Sequence, residues 1–559
     1  MLITGIGYAV GVGNVWRFPY VAAENGGGVF LIPYAIMLFC CGIPIFYLEV
    51  AFGQYSAQGP VTIWESIPLF KGLGWAMVYV SAVVTFYYNI VIAWSLYYLF
   101  ASMQTRLPWT ICDGEWNTAN VVCMYNDDFN STLTPYTKDT ISPAEEYWYY
   151  RVLKLDQSRG INDIGTPNWD LTLCNLLAWI IVFVCLFKGV QSSGKVVYVT
   201  ATFPYVILII LFFFGIFRDG AKEGVSFYLT PDTSRLKEAS IWQAAASQIF
   251  FSLGVAFGGL MTMSSFNKFN NNVSRDTLIV CIGNCLTSFF AGFVIFSVLG
   301  NMASVLNTDV SNLTNSGPGL AFIAYPAALA LLPAPQFWSI LFFLMMVMLG
   351  LDSQYAMVEV VVCGITDEFP HLRSKKKYIL LATCVLGFLL GLPMTSPGGM
   401  YWFNMINNYS ASLGFIILAF MMVVAIFWLY GNFATDRNRF INDMKFMTGS
   451  IPNWYYQIMW WLVTPALLLF IIIYSCIHYS DPTMTLGYSG EVYVYETTGQ
   501  VLSVILNFTP MILMVIFGAW AIYSKGGIFE AMKPTELWKP NGEEFPTIDE
   551  GKCNQAFCF

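Results

Sequence analysis

The chain is short of charge and almost without histidine. Of its 559 residues 11% are Asp, Glu, Lys or Arg, and two are histidine, His371 and His478. A soluble domain carries about 25% charged residues, so an ordinary soluble globule is excluded. No C-x-x-C or H-E-x-x-H stretch occurs and both histidines fall at loop edges, so a zinc site lacks its ligands and a serine triad lacks a buried base. No G-x-x-x-x-G-K-[ST] run is present, and no soluble segment is long enough for a nucleotide domain, which argues against a pump driven by ATP. A net charge of −8 and a pI near 4.9 argue against nucleic acid as a partner. An enzyme is not expected.

Apolar sequence is what the chain has in abundance: 57% of residues are hydrophobic and the mean hydropathy is +0.60. A membrane-crossing helix needs ~20 mostly apolar residues. That length rule finds about twelve, near 2–24, 28–53, 72–101, 171–187, 196–217, 240–265, 276–305, 335–364, 378–394, 399–430, 454–477 and 499–523. The expected fold is an all-α polytopic membrane protein. The expected organisation is one transmembrane domain over 1–559, with 104–170 as a large extracellular loop and 525–559 as a C-terminal tail.

Basic residues orient it. Lys188 and Lys195, Lys268 and Arg275, Arg373 and Lys375 to Lys377, and Arg437, Arg439 and Lys445 all fall on one side. The loops 306–334, 395–398 and 479–498 hold no Lys or Arg. By the positive-inside rule both termini are cytoplasmic. The chain opens directly on a span, with no cleavable signal peptide. A cytoplasmic tail normally precedes such a span, so a missing N-terminal segment is expected.

Most of the 13 cysteines lie inside spans as small packing residues. Cys112 and Cys123 lie in the extracellular loop, an oxidising compartment where a disulfide is expected. Asn130 and Asn312 begin glycosylation acceptors on the same side. The acceptor at Asn272 is cytoplasmic and should be silent.

Polar groups at membrane depth mark function more often than elsewhere. The first span contains Gly11-Val12-Gly13-Asn14, and the sixth contains Ser252-Leu253-Gly254 followed by Phe257-Gly258-Gly259. Two glycine-interrupted segments five spans apart signal inverted repeats with discontinuous helices. Unwinding frees carbonyls that replace water around Na⁺ and N–H groups that attract an anion. Such groups survive only where they line a buried cavity. Glycine also serves close helix packing, but two paired breaks with Asn14 beside one favour binding.

Asp352 and Ser353 add a carboxylate and a hydroxyl in the eighth span; a lone intramembrane Asp favours a cation site over helix packing. Asn284 and Ser288, four apart, share one helix face, although Ser288 alone reads more readily as bonded back to its own helix. Tyr88 offers a phenol to a carboxylate, with aromatic packing an equal alternative. For the intramembrane Glu49 and Glu359, a structural network and an ion or proton role both stand open.

GNVWRFPY, NGGGVFLIPY, FYLEVAFGQY, SGKVVYVTATFPY, QIFFSLG, FNKFNNN and LGLDSQ resemble the neurotransmitter:sodium symporter family, and the likeness runs from the first residue through about the twelfth span. It implies twelve helices, the first ten in two inverted five-helix repeats with helices 1 and 6 discontinuous. It implies a plasma-membrane symporter that imports a small substrate with Na⁺ and Cl⁻ by alternating access. One sodium site corresponds to Ala9, Asn14, Ser252 and Asn284. The other corresponds to Gly7, Val10, Leu349, Asp352 and Ser353. Chloride corresponds to Tyr34, Gln248, Ser252 and Ser288. Members that work without chloride carry an acid matching Ser288; a neutral residue here leaves the sodium charge to a diffusible anion.

Monoamine members hold the amine with an aspartate where this chain has Gly11, so an amino acid is the expected substrate, its carboxylate shared with the first sodium. Its pocket corresponds to Ala9, Gly11, Gly13, Val84, Tyr88, Phe251, Leu253, Gly254, Phe257, Ser353 and Met357. The sixth to eighth spans look most like the glycine and broad-specificity amino-acid branch, which usually carries Trp where Phe257 stands. The smaller ring favours a neutral amino acid larger than glycine; glycine, and a GABA- or proline-type substrate, stay open. The family's outer gate pairs the arginine matching Arg17 with an acid, where this chain has Asn407, a weaker partner than a bidentate carboxylate. The inner gate matches Asp367, whose basic partner falls before Met1. A non-coupled leak pathway and a non-transporting binding protein are the remaining alternatives; the expected partners are the amino-acid substrate, the lipid bilayer and a second copy of the chain in a homo-oligomer.

Overall fold

The structure, a computed structural model, describes residue 7 and residues 9–118, 141–187, 194–306, 309–310, 319–410, 412–433, 439–478, 481–485 and 492–538. Among these, nine continuous helices are long and apolar enough to cross a membrane, and a bent pair, Thr202–Ile216 with Ala221–Lys237 at 114°, makes up to ten. The protein is therefore an all-α, multi-pass membrane protein. The two expected spans missing from that set are 2–24 and 240–265, the two whose sequences carry glycine breaks.

Both breaks are visible in the backbone. Helix Ala239–Leu253 ends on Gly254 at φ 65°, and the chain resumes as Gly259–Ser264 after Ala256 at φ 62° and Gly258 at φ 79°. Left-handed φ costs glycine nothing and costs alanine about 1 kcal/mol or more. In the first span the helix lapses at Val10 and Gly11, then continues through a π-helical turn, Gly13–Arg17, into Phe18–Glu24. Single π turns recur at functional sites because they re-aim a side chain within an otherwise regular helix.

Helices Lys71–Ala101 and Pro335–Glu368 pack along one another and clasp the first break. A Cβ at Gly350 would lie 2.6 Å from Ile92 and 3.3 Å from Val12, so the missing side chain is what permits this approach. Val501, Ile505, Ile512, Val515 and Ile516 stay exposed on Thr497–Lys525, as a lipid-facing surface requires. A hairpin pairing Thr483–Thr485 with Val492–Val494 ties the long loop to helix Gly399–Ser410. Tyr493 accepts from the Ile161 N–H at 3.1 Å and Tyr495 donates to the Tyr401 carbonyl at 2.9 Å.

Cys112 is disulfide-bonded; Cys123, Asn130 and Asn312 lie outside the described residues. The described part of the C-terminal tail folds back: the Trp538 indole donates to the Tyr430 hydroxyl at 3.0 Å, and the Thr535 N–H to the Glu65 carbonyl at 2.9 Å.

Candidate functional site

The breaks leave main-chain groups with no helical partner, and side chains take them up, one from the same span and the rest from other helices. The Gly11 N–H donates to Asn14 Oδ1 at 3.0 Å and the Val12 N–H to Tyr88 Oη at 3.2 Å. The Phe257 carbonyl accepts from Ser81 at 2.7 Å, and the Ala256 N–H donates to Glu49 Oε1 at 2.5 Å. Glu49, fully buried, thus pins the strained bend of the second break, which gives it a structural partner. Sequence reasoning marked Glu49 as out of place but did not single out Ala256; a buried acid needing a donor was the available signal.

Between the breaks lies a cavity. It is lined by Ala9, Gly11, Gly13, Asn14, Val84, Tyr88, Phe251, Ser252, Gly254, Phe257, Ser353 and Met357. Every residue of the expected substrate set is there except Leu253, which is buried outside that lining against Gly42. One end is polar, where Tyr88 and Ser353 hydroxyls meet over Gly11. The other walls are Val84, Phe251, Phe257 and Met357. Phe415 packs at a tilt behind Phe257 with ring centres 4.7 Å apart, a contact no sequence pattern announces.

Beside the cavity, oxygens converge on Asn14. Its amide nitrogen reaches Asn284 Oδ1 at 2.6 Å, Ser288 Oγ at 2.7 Å, the Asn284 carbonyl at 3.1 Å and Ser252 Oγ at 3.3 Å. Asn284 donates to Ser252 at 2.8 Å, and Tyr34 hydrogen-bonds Ser288. The expected first sodium set and chloride set are therefore contiguous and meet at Ser252 and Asn14. Gln248 turns its carbonyl oxygen to Arg17 at 3.3 Å. Of the second sodium set, Val10 lies in the first break and Gly7 just before it, with Leu349, Asp352 and Ser353 on the helix packed against that break.

Of the expected gate residues, Arg17 backs the Phe251 wall of the cavity, and neither Asn407 nor Asp367 is among its lining residues. Arg17 stacks its guanidinium 4.3 Å from the centre of the Phe251 ring, and Asn407 donates to Tyr20 at 3.4 Å. Asp367 abuts the backbone of Gly59. Glu359 pairs with Lys376 at 2.5 Å, a structural use that leaves it away from the cavity lining. Among the described residues no cluster of His, Cys, Asp and Glu could hold a transition metal.

A sequence profile of the sodium:neurotransmitter symporter family matches residues 1–525. The sodium- and chloride-dependent glycine transporter 1 of Xenopus laevis is 42% identical over 98% of this chain and 88% of its own length. The sodium- and chloride-dependent glycine transporter 2 of the same animal is 44% identical over 87% of this chain and 66% of its own length. The human sodium- and chloride-dependent neutral and basic amino acid transporter B(0+) is 43% identical over 97% of this chain and 88% of its own length.

Proposed function

This chain belongs to the sodium:neurotransmitter symporter family, and from that premise we infer that it is a sodium- and chloride-dependent amino-acid symporter working by alternating access around the central cavity. The observation that carries the reading is the junction of both helix breaks with Tyr88 and Ser353 at one polar cavity end, beside a knot of oxygens on Asn14. Converging oxygens repel unless a donor or cation sits among them. Here the Asn14 amide nitrogen does so; turning that amide by 180° brings Oδ1 in and makes an all-oxygen shell for Na⁺ with Ala9, Ser252 and Asn284. Asp352 and Ser353, with carbonyls of Gly7, Val10 and Leu349, serve the second Na⁺. Ser288, Tyr34, Gln248 and Ser252 hold Cl⁻. The substrate carboxylate sits over Gly11 against Tyr88, its side chain among Val84, Phe251, Phe257 and Met357.

The protein acts as a transporter rather than an enzyme, as a single domain in the plasma membrane with both termini cytoplasmic. Uptake of a panel of radiolabelled amino acids by cells expressing the chain tests this. Saturable uptake that disappears when choline replaces sodium is expected. Uptake indifferent to that swap sinks the coupling. Large currents without saturable uptake would point to a leak pathway, and binding without flux to a binding protein.

Pocket size gives a second expectation. Phe257 leaves room for a side chain beyond glycine's hydrogen. Phe257→Trp fills it, and uptake should narrow toward glycine, with larger neutral amino acids losing roughly tenfold or more, the scale of discrimination by one or two methylenes. An unchanged profile across the panel means the side-chain pocket lies elsewhere.

A further inference from the structure

We propose that Phe415 is a positioning residue for substrate selection: it braces the Phe257 wall of the cavity from behind and so sets the largest amino-acid side chain the site accepts. This rests on the reading of the cavity as the substrate site. Phe257 has little freedom in its main chain. Its carbonyl accepts from Ser81 at 2.7 Å, the Ala256 N–H before it is held by Glu49, and Gly258 after it sits at φ 79°. What can move is the ring. It meets Phe251, another wall residue, edge-on, with ring centres 6.2 Å apart and planes at 78°. Behind it lies Phe415, 4.7 Å away and tilted at 50°. Phe415 stands in the first turn of helix Leu413–Val423, is 1% exposed and is not among the lining residues. Phe250, on the helix that ends at the second break, meets Phe415 in turn at 6.3 Å.

Both aromatic walls are therefore backed, Phe251 by the Arg17 guanidinium at 4.3 Å and Phe257 by Phe415. Of the other apolar walls, Val84 is short and stiff at χ1, while Met357 is unbranched and adapts to what lies against it. Interiors are close-packed, so a ring with another ring at its back cannot retreat unless that neighbour gives way. The size limit thus falls at the Phe257 wall, and the residue that fixes it lies outside the cavity. The site this describes takes neutral amino acids with small to medium aliphatic side chains and rejects aromatic ones. Removing the ring at position 415 opens a space behind the wall. The Phe257 ring turns back into it, and the cavity deepens by the volume that the ring vacates.

The test measures uptake of glycine, alanine, leucine and phenylalanine by cells expressing the full chain, normalised to surface protein. The variants are Phe415→Ala, Phe415→Leu, Phe257→Trp, and Phe257→Trp combined with Phe415→Ala. Phe415→Ala should raise uptake efficiency for leucine and phenylalanine relative to glycine roughly tenfold, the scale of one or two methylenes in an apolar pocket. The gain should come from a lower KM for the larger substrates, with the KM for glycine unchanged. Phe415→Leu, the milder change, should shift the same ratios the same way by less. In the combined variant the space behind the wall should take the indole and restore the larger amino acids that Phe257→Trp alone excludes. Equal losses for every substrate mean that Phe415 serves packing alone and overturn the proposal, as does a combined variant no better than Phe257→Trp. Thermal unfolding of the purified full chain, titrated with the same four amino acids, reads the affinity ratios without transport. Shifted ratios with no sodium-coupled uptake sink the symporter reading and leave the size limit standing. A Phe257→Trp chain with the parent's profile sinks the cavity assignment and this proposal with it.

Discussion

Replacing Asp352 by asparagine abolishes sodium-dependent uptake while leaving the protein folded and at the cell surface. Asn has the shape of Asp and lacks only the charge. Asp352 stands on Pro335–Glu368 beside Ser353, in electrostatic range of the Tyr88 hydroxyl that accepts from the Val12 N–H at the first break. Two unit charges about 4 Å apart attract by about 4 kcal/mol at an effective dielectric constant near 20. Losing that attraction weakens Na⁺ binding roughly a thousand-fold, beyond any extracellular sodium concentration. Carbonyls and a hydroxyl alone cannot offset dehydration of the ion. Uptake measured against graded sodium, normalised to surface protein, should show no saturable component. An unchanged sodium dependence removes Asp352 from the cation site.

The breaks were legible because glycine pairs interrupt two apolar runs at matching places, with Asn14 beside one of them, a coincidence that close packing alone does not call for. The backbone then lapses at Val10–Gly11 and at Gly254–Gly258, the places those residues marked. The continuous spans were legible from hydropathy alone, since lipid requires an apolar exterior. What stayed hidden was tertiary. Leu253 sits among lining residues in sequence, yet its side chain is buried against Gly42, because successive positions on a helix end point about 100° apart. Phe415 touches Phe257 from a helix more than 150 residues away, and nothing in its own neighbourhood marks it. Asn407 read as a weakened gate partner of Arg17; in the fold the Tyr20 hydroxyl stands between the two side chains. Composition reports that a group is out of place. Only the fold reports which neighbour answers it.

Gly11→Ala removes amino-acid uptake without unfolding the protein, and steric geometry decides that outcome rather than backbone strain. Gly11 is not among the glycines at positive φ, so its main-chain conformation is open to alanine; Gly254 at φ 65° and Gly258 at φ 79° are not so placed. The obstacle is the site itself. A Cβ at position 11 would overlap the Ser353 hydroxyl and stand 3.0 Å from Tyr88 Oη. Tyr88 already holds the Val12 N–H at 3.2 Å, so it yields only by giving up a main-chain bond of the break. The methyl therefore occupies the space assigned to the substrate carboxylate or displaces the two hydroxyls that would face it. Each hydrogen bond to a charged group contributes about 1.5–3 kcal/mol. Losing two lowers affinity at least ~100-fold. Thermal unfolding should stay near that of the parent chain, and uptake at substrate concentrations that saturate the parent should fall below a few per cent. Near-normal uptake by Gly11→Ala would move the carboxylate away from the first break, and with it the shared contact through which substrate and sodium are coupled.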